Sequence, residues 1–257
     1  MIPKVIHYCW FGGAPLPQDA IRCINSWKKV CPDYKIVQWN EKNFDVKINQ
    51  YCLEAYRQKK WAFVSDVARL KIIYDNGGIY LDTDVELLKS LDNLLYYKGY
   101  MGMESTGSVN TGLGFGAEKH LPLLKELLNT YDNCMFDLEN LVSCPVITTE
   151  LLERLGFISN GKIQDIADIR IFPVEYFAPI NLTTRKKIIT TNTYSIHHYS
   201  ASWASKEHKK DIIIRKHCCR IFGDNIGMKA YGHFAAIRSE GIYCYFKRRI
   251  LRIFERK

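Results

Sequence analysis

The chain lacks several features that would settle its class at once. No apolar stretch among its 257 residues approaches the roughly 20 positions of a membrane span, which argues against a spanning helix. Nine cysteines stand at 9, 23, 31, 52, 134, 144, 218, 219 and 244, yet no C-x-x-C pair occurs, so neither a zinc ribbon nor a dithiol redox motif is indicated. The start, Met1-Ile2-Pro3-Lys4-Val5-Ile6-His7, has no basic segment followed by a long apolar run, so no secretory leader is read there. An odd number of thiols and no export signal lead us to expect the reducing cytoplasm. No repeat, low-complexity tract or Pro/Ser-rich linker divides the chain, and only 8 prolines are present.

Hydrophobic residues make up 47% of the chain, enough for a sizeable core. The net charge of +9 is unevenly spread. Residues 1–203 hold 22 basic and 22 acidic side chains, whereas residues 204–257 hold 14 basic and 5 acidic ones. A basic tail on a neutral body points to an anionic partner surface. Within Gly241–Lys257, Tyr243, Phe246, Ile250 and Ile253 recur at helical spacing among Lys247, Arg248, Arg249, Arg252 and Arg256. That pattern suits an interfacial helix on anionic lipid, or a helix packed on the body with a solvated basic face. We therefore expect residues 238–257 to meet an anionic membrane surface, giving a peripheral position on the inner face of the plasma membrane. Nucleic acid is not expected, because the body is neutral and carries no recognised binding motif.

Strand and helix patterns alternate. Lys4–Phe11 and Lys35–Trp39 read as strands, with an amphipathic helix from Pro17 to Val30 between them. Helix follows from about Asn49 to Asp75, broken near Lys59-Lys60, and Gly77-Gly78 opens a short strand, Ile79-Tyr80-Leu81. Tyr100–Met103 and Leu113–Gly116 suggest strands, Leu121–Tyr131 a helix, and Cys144–Phe172 a helix and a strand. Ile188–Thr190 and Tyr194–His198 look extended. The pattern predicts an α/β fold with a mostly parallel sheet flanked by helices, over residues 1–203, and a basic helical extension over 204–257.

Asp82 and Asp84 follow the apolar strand at a spacing of two, which on an extended backbone puts both carboxylates on one face. Carboxyl ends of strands are where open α/β sheets bind ligands, and paired hard oxygens suit Mg²⁺ or Mn²⁺ holding a diphosphate. Upstream, Ser65, Asp66 and Arg69 form one polar stripe on a mostly apolar helix. Buried charges need partners, so the stripe is a structural ion pair or the wall of a polar cavity.

Ser65-Asp66-x-x-Arg69 followed by Gly77-Gly78-Ile79-Tyr80-Leu81-Asp82-x-Asp84 resembles the sugar-transferase region of glycosyltransferase family 32 and of the large clostridial glucosylating toxins. Ile2-Pro3-Lys4-x-Ile6-His7-x-x-Trp10-x-Gly12 is similar to the family's opening strand, and Ile196-His197-His198-Tyr199-Ser200-Ala201-Ser202-Trp203 to its closing motif. The resemblance implies a GT-A type fold, a nucleotide-sugar donor with UDP favoured over GDP, Mn²⁺ or Mg²⁺, and retention of anomeric configuration. By position it implies that Trp10 stacks on the base, that Asp66, Arg69 and Asp82 hold the donor sugar, and that Asp84 ligates the metal. His198 is its second metal ligand, with His197 the rival because neighbours on a strand point oppositely. Trp203 covers the diphosphate, and Asn110 contacts donor sugar or acceptor. Glu104 follows a strand and faces the acceptor. That acceptor is expected to be a glycan or lipid-diphosphate-linked oligosaccharide in capsular or other polysaccharide synthesis.

Two other readings use the same residues. A phosphatase or phosphotransferase with an Asp-x-Asp nucleophile motif wants Thr or Val two residues beyond the second Asp, where Glu86 stands. A non-catalytic nucleotide-sugar-binding protein requires a lost ligand, and Asp82 and Asp84 are both present.

Overall fold

The computed structural model describes residues 1–138, 140–182, 184, 186–200 and 206–240. The chain divides into two compact units, one over residues 1–182 and 187–203 and one holding the last two helices.

The first unit runs β1 (Val5–Cys9), α1 (Gln18–Val30), β2 (Lys35–Trp39), α2 (Gln50–Arg57), α3 (Trp61–Asn76), β3 (Gly78–Tyr80) and β4 (Val85–Leu87). It continues with β5 (Gly99–Gly102), β6 (Phe115–Ala117), α4 (Pro122–Asp132), α5 (Cys144–Arg154), β7 (Gln164–Ile166), β8 (Ile169–Phe172), α6 (Val174–Phe177) and β9 (Ser195–His197). Seven strands form the central sheet in the order β2-β1-β3-β6-β5-β8-β7. β2, β1 and β3 are mutually parallel, β6 reverses, β5 and β8 run with the first three, and β7 reverses again. Five of the seven strands thus share one direction, and the α/β fold read from the sequence is present.

Helix α1 follows its apolar spacing. Ala20, Cys23, Ile24 and Trp27 are buried on one face, beside Tyr8 and Val85. The Trp27 indole donates to the Val85 carbonyl at 2.7 Å, and the Leu87 N–H donates to Ser26 Oγ at 2.9 Å. These two bonds hold β4 on α1. Helix α3 packs against the opposite side of the sheet, where Val64, Val67, Ala68 and Ile73 are fully buried among α2, α4 and Phe115. A core on each face of the sheet fixes its position, and a short antiparallel ribbon of β4 with β9 stands beside it.

Ile188–Thr190, which looks extended in the sequence, joins no sheet; Lys187 just before it bridges to Ile180, and Ile188 and Ile189 are exposed. Alternation in this stretch had no sheet edge to pair with. The second unit is a pair of helices, α7 (Lys206–Phe222) and α8 (Asp224–Glu240). The basic segment at Gly241–Lys257 lies outside the described residues. No described helix is long and apolar enough to cross a membrane.

One buried histidine ties the start of β3 to β1 and β2. The Trp39 indole donates to His7 Nδ1 at 2.9 Å, which leaves the proton on Nε2 to donate to the Gly77 carbonyl at 3.1 Å. Both nitrogens are used in the neutral form, and burial holds the imidazole down at a pKa of about 4. A group whose folded pKa is depressed gives stability that is present above its unfolded value and lost as pH falls. His7 therefore contributes fully above about pH 6.5 and loses up to about 3 kcal/mol as pH approaches 4. Asp66 titrates in the opposite sense, so the readout is a difference. Urea unfolding of wild type and His7→Gln should converge in stability as pH is lowered from 7 to 4, and a constant gap would contradict the assignment. Next to it, Gly78 has φ +104°, and a Cβ there would stand 2.8 Å from the Val5 carbonyl oxygen. Gly78→Ala should cost at least about 2 kcal/mol in the same experiment.

Candidate active site

The polar residues singled out in the sequence gather at one edge of the sheet. Trp10 and Asp82 lie just beyond the carboxyl ends of the paired parallel strands β1 and β3, and Glu104 beyond that of β5. Asn110, Thr111 and Gly112 precede β6, whose reversed direction brings its amino end to the same edge. This is the edge at which α/β sheets bind ligands.

Asp82 and Asp84 do not sit on an extended strand as their spacing suggested. The Val85 N–H donates to the Asp82 carbonyl at 3.0 Å, so residues 82–85 form a tight turn between β3 and β4. The short strand β4, which the sequence pattern did not reveal, then pairs with β9 with Val85 opposite His197. This pairing brings His197 Nε2 to 3.1 Å from Asp84 Oδ1. The Ser200 N–H donates to Asp84 Oδ2 at 2.8 Å, and the His198 N–H to the Asp84 carbonyl at 3.0 Å. Asp82, Asp84 and His197 each place a ligand atom within 4.8 Å of the others. His198 turns the other way, its Nε2 standing 2.9 Å from Glu86 Oε2. Strand alternation separates the two histidines, and the register selects His197 for the aspartates. Trp203 lies outside the described residues.

Arg69 is the hub of a buried cluster of polar contacts beside Asp82. Its guanidinium lies 3.1 Å from Asp66 Oδ1 and 3.2 Å from Asp82 Oδ1, donates to the Ser65 carbonyl at 3.2 Å and sits over the Tyr80 ring. The Tyr80 hydroxyl donates to the same Asp82 oxygen at 2.9 Å. Thr111 Oγ1 and Cys144 Sγ complete the surround at 3.4 and 3.5 Å. Of the two alternatives that the sequence left open, the buried ion pair is present.

Electrostatics follow from burial and an excess of carboxylates. Burial pushes Asp66 up to about 6, against the pull of Arg69 and with the added repulsion of Asp82. Burial also raises Asp82. Burial opposes ionisation of Asp84 too, but His197 and the Ser200 N–H outweigh it and hold that carboxyl well below its usual range. His197 is disfavoured as a cation by burial, yet the charges of Asp84, Asp82 and Glu104 raise it overall. Its Nδ1 is buried with no hydrogen-bond partner. Two carboxylates, an imidazole and a net call for positive charge form a donor set that fits a divalent metal ion.

Asn110 is placed by its own loop. Its Oδ1 accepts from the Gly112 N–H at 2.6 Å and its Nδ2 donates to Glu104 Oε2 at 2.9 Å. Gly112 has to be small, since a Cβ there would stand 2.5 Å from Asp82 Oδ2. Trp10, half-buried, donates its indole N–H to the Ala14 carbonyl at 2.6 Å. Sequence reasoning missed Tyr80, Thr111, Gly112 and Cys144. Tyr80 and Gly112 stood beside recognised positions, but nothing in the sequence connects Cys144 with Arg69.

The family of glycosyltransferase sugar-binding regions containing a DXD motif matches residues 17–100, which include Asp66, Arg69, Asp82 and Asp84. Over that third of its length the chain is similar to the DXD-containing glycosyltransferases. Inositol phosphoceramide mannosyltransferase 3 of Schizosaccharomyces pombe is 32% identical over 137 residues, covering 50% of this chain and 37% of its own length. An uncharacterized glycosyltransferase of Acanthamoeba polyphaga mimivirus is 27% identical over 239 residues, covering 88% of this chain and 89% of the viral one. Among solved structures, the PaToxG glycosyltransferase is similar at a TM-score of 0.48 and 20% identity, over 60% of this chain and 68% of that one. A glycosyltransferase involved in glycosylation of the major capsid of PBCV-1 is similar at 0.47 and 13% identity, over 82% and 99%. The chain thus spans little more than a third of the fission yeast enzyme it matches.

The Arg69 clamp is directly testable. Removing the guanidinium leaves the buried Asp66 beside the partly exposed Asp82 with no counter-charge, which should cost up to about 3–5 kcal/mol. Arg69→Met should be destabilised by that order in urea unfolding at pH 7.5. The gap should narrow toward pH 5.5, because protonation relieves the unpaired carboxylates. A cost below about 1 kcal/mol at pH 7.5 would show that the clamp is not what holds the cluster.

Proposed function

We propose that this chain is a glycosyltransferase that moves a hexose from a nucleotide-sugar, with UDP as the nucleotide, to a glycan or lipid-diphosphate-linked acceptor in polysaccharide synthesis, with retention of configuration. The observation that carries the reading is the turn at 82–85, which sets Asp82, Asp84 and His197 within 4.8 Å of one another beside the buried Arg69. Residues 1–203 are the catalytic unit in this proposal, and residues 204–257 a basic extension.

Asp84 and His197 are the residues that would hold a divalent ion, Mn²⁺ or Mg²⁺, with Asp82 beside them. Such an ion supplies positive charge against the diphosphate that leaves with the nucleotide. The rest is done by side chains. Asp66 and Asp82 accept from donor-sugar hydroxyls, and their orientation is fixed by Arg69, whose donors are committed to protein partners. Arg69 is therefore a positioning residue that acts through the two carboxylates. Trp10 offers its ring to the base, and Asn110 with Glu104 borders the acceptor side. A same-face substitution needs no protein nucleophile; the donor phosphate takes the acceptor proton. Mannosyl transfer in the name of the fission yeast relative supports a hexose, and the inositol phosphoceramide in that name supports a lipid-linked acceptor.

Isothermal titration separates this reading from a phosphatase and from a metal-independent binder. UDP should bind in the presence of Mn²⁺ more tightly than GDP, and binding should fall at least tenfold without metal, in Asp84→Ala and in His197→Ala. His198→Ala should bind as wild type does. Equal binding with and without metal, or loss in His198→Ala alone, would contradict the assignment.

A further inference from the structure

The α7–α8 hairpin carries a feature that sugar transfer does not use. Its two helices meet at Gly223, which has φ +73° and closes α7, and α8 starts at the next residue. Around this bend the apolar side chains face solvent. Ile221 is 70% exposed, Phe222 52% and Ile226 63%. Large apolar side chains grouped at one tip mark a contact surface more often than isolated ones do.

The bend is held firmly from behind. Gly227 is buried against the backbone of Cys218 and Cys219, and a Cβ there would collide with both. The helices therefore approach backbone to backbone just below the tip, with Cys219 buried between them. Charge accompanies the exposed group. Lys229 is exposed one turn beyond Ile226, and residues 206–240 carry eight Lys and Arg against four Asp and Glu.

We propose that the apex of the α7–α8 hairpin is a wedge for anionic lipid bilayers. Ile221, Phe222 and Ile226 enter the interfacial layer, and Lys229 meets lipid phosphates. Apolar insertion and electrostatic attraction add in such binding, and neither suffices for a small surface. The wedge is distinct from the basic stretch at 241–257, and it does not depend on the chemistry assigned to Asp82 and Asp84.

Flotation of the full chain with vesicles of phosphatidylcholine containing about 30% phosphatidylglycerol tests it, with pure phosphatidylcholine as the neutral comparison. Wild type should float with the anionic vesicles and not with the neutral ones, and should be released as NaCl rises toward about 0.5 M. The double variant Ile221→Ser/Phe222→Ser should lose about tenfold or more of the bound fraction, and Lys229→Glu should lose a smaller part. Unchanged Mn²⁺-dependent UDP binding, or an unchanged circular dichroism melt if no nucleotide binds, shows that each variant is folded. Wild type failing to float would overturn the proposal. So would a double variant that floats like wild type, which assigns the binding elsewhere in the chain. A wild-type dimer that becomes monomeric in the double variant, without flotation of either, would make the apex a contact between copies and also overturn it.

Discussion

A single buried guanidinium carries the architecture of the site. Arg69 rises from the middle of α3, a helix otherwise buried in the core, and binds a carboxylate of its own helix and one from the turn after β3. Taking such a charge out of water is costly unless its partners are fixed in place. The fold meets that condition from several directions: the Ser65 carbonyl, the Tyr80 ring and hydroxyl, and Thr111 and Cys144 from elements far along the chain. Sheet, helix and loop can hold their relative positions at this edge only if all of them satisfy Arg69 together.

The outer half of the site depends on a different device. Asp84 is fixed by the two-stranded ribbon of β4 and β9 and by the N–H groups that follow β9. The ribbon is anchored in turn by the Trp27 indole and Ser26 on α1. The two aspartates of one short motif therefore belong to separate supports. Asp82 is held by the rigid core, and Asp84 by a strand pair whose second member arrives more than a hundred residues later. This division explains why burial dominates at Asp82, whereas contacts to His197 and Ser200 dominate at Asp84.

Much of this was legible beforehand because it is local. The strand–helix alternation, the polar stripe of α3 and the glycine break before β3 are written in neighbouring residues, and each appears where the pattern put it. What escaped is non-local or shorter than a period. β4 has three residues, too few for alternation to show. The turn at 82–85 replaced the extended spacing because β4 has to leave the sheet to meet β9. The choice between His197 and His198 hinged on register, which adjacent residues cannot encode by themselves. Cys144 enters the site through packing of α5, and no spacing announces it. Ile188–Thr190 looks extended yet joins no sheet, since β-branched residues inside and outside a sheet look the same in one dimension.

The central claim is that the turn after β3 and the strand β9 together make one metal-nucleotide site. Crystals grown with Mn²⁺ and UDP, measured at the manganese absorption edge, test it most directly. The account predicts one anomalous peak within bonding distance of the Asp84 carboxylate and an imidazole nitrogen of His197, with the nucleotide diphosphate against the same ion. A peak held by His198 and Glu86, or nucleotide bound with no ion near Asp84, would contradict it.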